Sequence, residues 1–185
     1  SCTNSGVIRN AQGNNSQDKS ISVFAGGVAG FVEGTQENLI SISKCHNTCT
    51  TDINHRRGYA GGIAGYAEHA TLSECSNLTN FNSSCYYIGG IVGWLVNATV
   101  TNCDWTGTSI VSSQLQSAGG IVAKLGAGSI VDGCDSYLET LAKGGAIAGI
   151  SEVGSTIKNC HYKAGLSLGI CSDTNFTGEN NTADL

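Results

Sequence analysis

One six-residue phrase, restated five times, constrains this chain more than any other feature. It reads GGVAGF at 26–31, GGIAGY at 61–66, GGIVGW at 89–94, GGIVAK at 119–124 and GAIAGI at 145–150. Measured from the first glycine, successive starts lie 35, 28, 30 and 26 residues apart. A second signature follows each phrase: a small or β-branched residue, an aliphatic, two variable residues, then cysteine. It is SISKC at 41–45, TLSEC at 71–75, TVTNC at 99–103, IVDGC at 130–134 and TIKNC at 156–160. Two registers that agree over five units define an internal repeat, and periods of roughly 20–50 residues belong to solenoids and propellers.

The repeated element is a strand. Glycine in a helix interior costs about 1 kcal/mol relative to alanine, and every phrase carries at least one. The apolar segments are short, rich in Val, Ile and Thr, and bounded by Ser, Asn and Gly, which are strand and turn signals. A unit of this length holds about two or three short strands. It cannot bury its own apolar face, whereas stacked copies can. A propeller blade needs about 40 residues or more, so the period favours an all-β parallel β-helix, or β-solenoid. The expectation is five to six coils of 26–35 residues, right-handed by the usual rule for parallel crossovers. Val28, Ile63, Ile91, Ile121 and Ile147 then form one interior ladder. Ile42, Leu72, Val100, Val131 and Ile157 form a second.

The whole chain, 1–185, reads as a single solenoid domain, with core repeats at about 23–162, a partial coil at 1–22 and a degenerate coil with a polar tail at 163–185. Twenty-six glycines and no proline raise low complexity as a rival, but a disordered chain has no reason to phase its apolar residues. The net charge of −5 and the lack of any basic run beyond Arg56–Arg57 argue against nucleic acid. No apolar stretch approaches the ~18 residues of a membrane span. The chain opens without an initiator Met or a signal peptide, which reads as a processed or excised piece.

The pattern GG-[IV]-[AV]-G followed by [ILV]-x-x-C resembles the GLUG-motif repeats of bacterial surface proteins, including adhesin-like β-solenoids and some immunoglobulin A peptidases. The resemblance covers about 23–162, and the fourth copy departs from it with Ala123 in place of the third glycine. It implies an extracellular or cell-surface repeat region. In the peptidase members the catalytic centre lies in a separate domain, and no sign of one occurs in this sequence.

Six cysteines, Cys2, Cys45, Cys75, Cys103, Cys134 and Cys160, keep the repeat register and predict an inward ladder of small apolar side chains. Stacked neighbours have Cβ atoms near 4.8 Å apart, outside the ~3.5–4.5 Å a disulfide prefers, so most ladder thiols are expected unpaired. Cys49, Cys85 and Cys171 lie off register; Cys45 with Cys49 and Cys49 with Cys85 are the candidate pairs, and sequence does not fix the connectivity. CHNTC at 45–49 offers three metal ligands, but a structural zinc takes four, usually from two clusters, and His55, His69 and His161 follow no matching spacing. Neither metal nor cofactor is expected.

For catalysis, Asp132 with Asp135 and Glu68 with His69 are pairs with no sign of a shared groove. The position before each ladder cysteine, read as outward, carries Lys44, Glu74, Asn102, Gly133 and Asn159, which is no catalytic row. The last position of the phrase carries Phe31, Tyr66 and Trp94, a candidate glycan-binding strip, or corner packing. Asn14, Asn77, Asn82, Asn97, Asn175 and Asn180 begin N-glycosylation sequons.

These features point to a non-enzymatic extracellular structural or adhesive solenoid. The competing reading is a carbohydrate-binding or polysaccharide-active β-helix module of a larger surface protein. SCTNSG at 1–6 reads as the exit of a coil, and GLSLGI at 165–170 as a sixth phrase followed by the tail. Placed end to end, the two halves would complete one turn and propagate a filament. Neighbouring repeats of a longer chain are the alternative partners.

Overall fold

A computed structural model of the protein describes residues 2–9, 22–52, 57–165 and 169–185. The described residues form strands and turns without a helix, and the strands pair in parallel with their counterparts in the neighbouring repeats. The chain is a β-solenoid.

One turn contains five short strands rather than two or three. In the second full turn they are Gly58–Gly61, Ala64–Glu68, Ala70–Ser73, Ser76–Asn77 and Phe81–Ser83. Stacking extends them into a glycine sheet and a phrase sheet of five strands each, a ladder sheet of six, an asparagine sheet of seven and a short sheet of three. A further pair joins Val7–Arg9 to Thr50–Asp52.

Single residues of positive φ turn two of the corners. Between the ladder and asparagine sheets they are Lys44, Glu74, Asn102, Gly133, Asn159 and Asn180, with φ of 50–61°. Between the phrase and ladder sheets they are His69, Asn97, Gly128 and Gly154. A left-handed residue other than glycine costs on the order of 1 kcal/mol, and Asn, a short polar side chain, tolerates it best. The position before each cysteine is thus fixed by backbone conformation, which leaves its chemistry free.

Both predicted ladders are present. Ile63, Ile91, Ile121 and Ile147 are fully buried, with Val28 half-buried at the first turn. Leu72, Val100, Val131 and Ile157 are fully buried and in register, with Ile42 half-buried before them. Each such burial contributes about 1.5–3 kcal/mol. Ala123 is buried without disturbing the bend, and Val122–Leu125 pairs on both sides.

The inward row of the asparagine sheet explains the repeated glycines. It runs Asn4, Asn47, Asn77, Trp105, Ser136, Tyr162. A Cβ on the second glycine of the first four phrases would meet this row: Gly27 at 2.3 Å from Asn47 Cγ, Gly62 at 2.2 Å from Asn77 Nδ2, Gly90 at 2.6 Å from Trp105 and Gly120 at 1.9 Å from Ser136 Oγ. The two walls touch, so these four phrases have no room for a side chain there; the fifth carries a buried Ala146 instead. Asn47 and Asn77 are fully buried and satisfied: Asn47 Nδ2 donates to Asn77 Oδ1 at 2.9 Å, and Asn77 Nδ2 to Gly90 O at 2.8 Å.

The C-terminal stretch departs from the expected polar tail. Phe176–Glu179 joins the ladder sheet and Thr182–Ala183 the asparagine sheet. TGENN at 177–181 is therefore a worn copy of TIKNC, with Gly178 opposite Ile157 and Asn181 at the cysteine level. Asn181 closes the file: its Oδ1 accepts from Cys160 N at 3.0 Å and its Nδ2 donates to Ile157 O at 2.8 Å. The sixth phrase at 165–170 lies partly outside the described residues, as does most of the partial coil at 1–22.

The last turn also reaches the sheet in which the described residues begin. Thr3–Asn4 and Thr182–Ala183 are both asparagine-sheet strands.

Just before this turn, Ala148 bridges Cys171, and Asp173 accepts from Ser151 N at 2.9 Å and from Ser151 Oγ. Burial alone would raise the Asp173 carboxyl, but these hydrogen bonds hold it below its ordinary value near 3.8. A carboxylate depressed in the folded state stabilises it above the unfolded value and loses that contribution as pH falls through the folded value. Hydrogen exchange should show the Ser151 amide losing protection well below pH 3.8 while the amide of Ile91 stays protected. Asp173→Asn should show the same loosening at neutral pH; unchanged Ser151 protection in both would refute the clasp.

Candidate functional site: an aromatic corner and the rows around it

The glycine and phrase sheets meet at the sharp bend set by the first glycine, where a Cβ on Gly61 would lie 2.0 Å from Ala64 O. Two outer rows converge there. Phe24, Tyr59 and Tyr87 stand in register on one sheet, and Phe31, Tyr66 and Trp94 on the other. Phe31 and Tyr66 stack with centroids 4.8 Å apart and planes 7° apart; Tyr59 and Tyr87 stack at 4.8 Å and 9°. Tyr59 crosses to stack on Trp94 at 5.1 Å, and Tyr66 meets Trp94 edge-on at 5.3 Å. Lys124 takes the next rung, its Nζ 4.1 Å from the Trp94 centroid and 3.2 Å from Glu152 Oε1. Tyr66 O–H donates to Glu68; burial first, and then that bond, push the phenol well above its usual range.

Ring neighbours on both rows cover Tyr59 and Tyr66, and Lys124 lies over Trp94. Phe31 is 51% exposed, Tyr66 only 9%, and Trp94 is half-buried. Phe31, Tyr66 and Trp94 line up as one side of a six-ring corner. The second row, which sequence reading missed, carried a signal: an aromatic two residues before the first glycine in three successive units.

Cys45, Cys75, Cys103, Cys134 and Cys160 are buried in one file, and Cys2 is the exposed rung at its head. The ladder thiols donate to the carbonyl two residues back, as Cys103 does to Thr101 O at 3.3 Å. Burial raises the Cys134 thiol well above its ordinary value. Cys49 and Cys85 are buried away from this file, and Cys49 Sγ donates to Asn47 Oδ1 at 2.7 Å. Cys171 is half-buried, its thiol pushed up to about 11 by burial. In CHNTC, Cys45 and Cys49 are buried while His46 is exposed, its Nδ1 2.7 Å from Ser76 Oγ, so the three groups do not converge. His55 lies outside the described residues.

An outer row with four titratable members stands just after the cysteines. His46, Ser76, Asp104, Asp135 and His161 share one outer register of the asparagine sheet. Burial, then the Asp135 charge, raise the Asp104 carboxyl. His161 Nδ1 lies 2.8 Å from Asp184 Oδ1, which raises the imidazole and lowers the carboxyl. Asp132 instead pairs with Lys158 at 3.4 Å, and Glu68 with His69 at 4.0 Å.

Among the sequons, Asn82, Asn97, Asn175 and Asn180 are exposed. Asn77 is fully buried with its amide nitrogen bonded to Gly90 O, so the folded chain presents no acceptor there. Asn14 lies outside the described residues.

The family model described as the GLUG motif matches residues 84–111, about one turn of the stack, running through the third phrase and Cys103. No curated protein and no solved structure matches the chain. The repeat, the parallel coils and this match together make the protein a β-solenoid that carries the GLUG motif.

Proposed function

We propose that the protein is a non-enzymatic, extracellular structural and adhesive element, a stiff stack that holds contact surfaces away from its point of attachment. The observation that carries this reading is that its repeated side chains are engaged with their own copies. The aliphatic and cysteine rows stack inside and the aromatic rows stack outside. Lys44–Glu74, Asp132–Lys158, Lys124–Glu152 and Glu139–Lys163 pair from rung to rung. Repetition of this kind serves rigidity. The adhesive contact falls to exposed apolar groups of the first full turn, Phe31, Leu39 and Ile40.

Trp94→Ala tests the reading against glycan binding. Loss of its contacts with Tyr59, Tyr66 and Lys124 should lower stability by about 2 kcal/mol. Any retention on immobilised glycans should be unchanged. Retention abolished at an unchanged melting temperature would establish the corner as a glycan site instead.

The row from His46 to His161 favours one second reading, a polysaccharide-active module. Asp104, its carboxyl raised by burial and by the Asp135 charge beside it, and Asp135 would be the carboxyl pair that glycoside hydrolysis needs. Release of reducing ends from a polysaccharide panel, abolished by Asp135→Asn, would replace the structural reading with this one.

A further inference from the structure

At Cys2 the sulfur file is exposed among the described residues, and there two thiols touch. Cys2 Sγ lies 3.1 Å from Cys45 Sγ. Cys2 is exposed and Cys45 is 6% exposed, whereas Cys75, Cys103, Cys134 and Cys160 are 0–1% exposed. We propose that Cys2 and Cys45 form an oxidisable pair that takes a small-molecule disulfide as its reagent and closes into a cross-link pinning the first strand to the stack.

The backbone places the pair within reach. Thr3–Asn4 runs in register on His46–Asn47, and His46 N donates to Cys2 O at 2.8 Å. In-register neighbours lie about 4.8 Å apart, inside the ~4.4–6.8 Å Cα range of disulfides. The Cβ separation of stacked residues is wider than a disulfide prefers, so one strand must move inward. Inside the file that motion is blocked, because the strands flanking Cys103 are paired on both sides. Thr3–Asn4 is two residues long, lies at the edge of its sheet and is paired on one side only. It can close the gap where the other rungs cannot.

The chemistry is exchange. Cys2 thiolate attacks the reagent's S–S bond, forming a mixed disulfide and expelling one small thiolate. Cys45 then gives up its proton and attacks Cys2 Sγ, forming the protein S–S bond and expelling the second small thiol. Two protein S–H bonds are lost, one S–S bond forms, and the reagent is reduced to two thiols. The contact with Cys45 raises the Cys2 thiol above its ordinary value, so the first step speeds up as pH rises.

The test treats the fully reduced, folded chain with oxidised glutathione. Peptide mapping by mass spectrometry should find Cys2 joined to Cys45, with a mass loss of two hydrogens and two fewer titratable thiols. The cross-linked form should melt several degrees above the reduced form, because the bond closes a long loop. Cys2→Ser, at an exposed position, should abolish the cross-link while leaving the reduced melting temperature unchanged. A stable mixed disulfide on Cys2 that never resolves, a map joining Cys2 to another cysteine, or an unmodified Cys2–Cys45 pair at alkaline pH would each overturn the proposal.

Discussion

Gly90→Ala is expected to yield little or no folded protein. Its Cβ would lie 1.9 Å from Gly120 O and 2.6 Å from Trp105 Cγ and Cδ2. Neither neighbour can retreat. Gly120 is held between rungs by Gly90 N to Gly119 O at 3.0 Å and Ile121 N to Ile147 O at 2.9 Å. Trp105 is fully buried and tethered by Nε1 to Thr79 O at 2.9 Å. Overpacking a core commonly costs about 1–3 kcal/mol, and a clash with fixed backbone lies beyond that range, at about 4 kcal/mol or more. Soluble yield and thermal melts by circular dichroism measure it. Gly6→Ala is the control, because its Cβ would meet nothing nearer than Asn4 Oδ1 at 3.6 Å. A Gly90→Ala protein that melts within a few degrees of the parent would mean that the two walls can part, and close approach would no longer explain the phrase.

Trp105→Ala should cost about 3–5 kcal/mol for the cavity alone. Trp105 is among the largest fully buried side chains, it packs against Phe81 with centroids 6.3 Å apart, and it fills the space that Gly90 and Gly107 leave open. The lost bond strands Thr79 O, which adds about 1 kcal/mol. Urea denaturation should show the shift, with Trp105→Phe recovering part of it. A loss below about 1 kcal/mol would mean that the stack collapses around the gap, contrary to a stiff wall.

The two aliphatic ladders and the cysteine file were legible in the sequence because each keeps one chemical type from turn to turn. The row Asn47, Asn77, Trp105, Ser136, Tyr162 was not legible, although it determines where glycine is needed. Its residues differ at nearly every level, so no pattern of residue type marks them as one wall. Strand number was underestimated for a related reason: Ser76–Asn77 is two residues long, too short to show a period. The last turn was hidden because Gly178 and Asn181 stand where an aliphatic and a cysteine mark the other turns. The aromatic corner was half legible. One row sits inside the phrase, while the other precedes it, and only contact between the two sheets makes them one cluster.

Register stacking also changes what counts as a neighbour. Leu72 touches Ile42 and Val100, each about thirty places away along the chain, and the side chains beside it in sequence point elsewhere. Substitutions should therefore interact across one coil length, in bands parallel to the diagonal of a pairwise epistasis map. A change at one level can be compensated only at the levels directly above and below it. A lineage of such chains can rewrite its outer residues turn by turn, but it must revise its interior in vertical pairs.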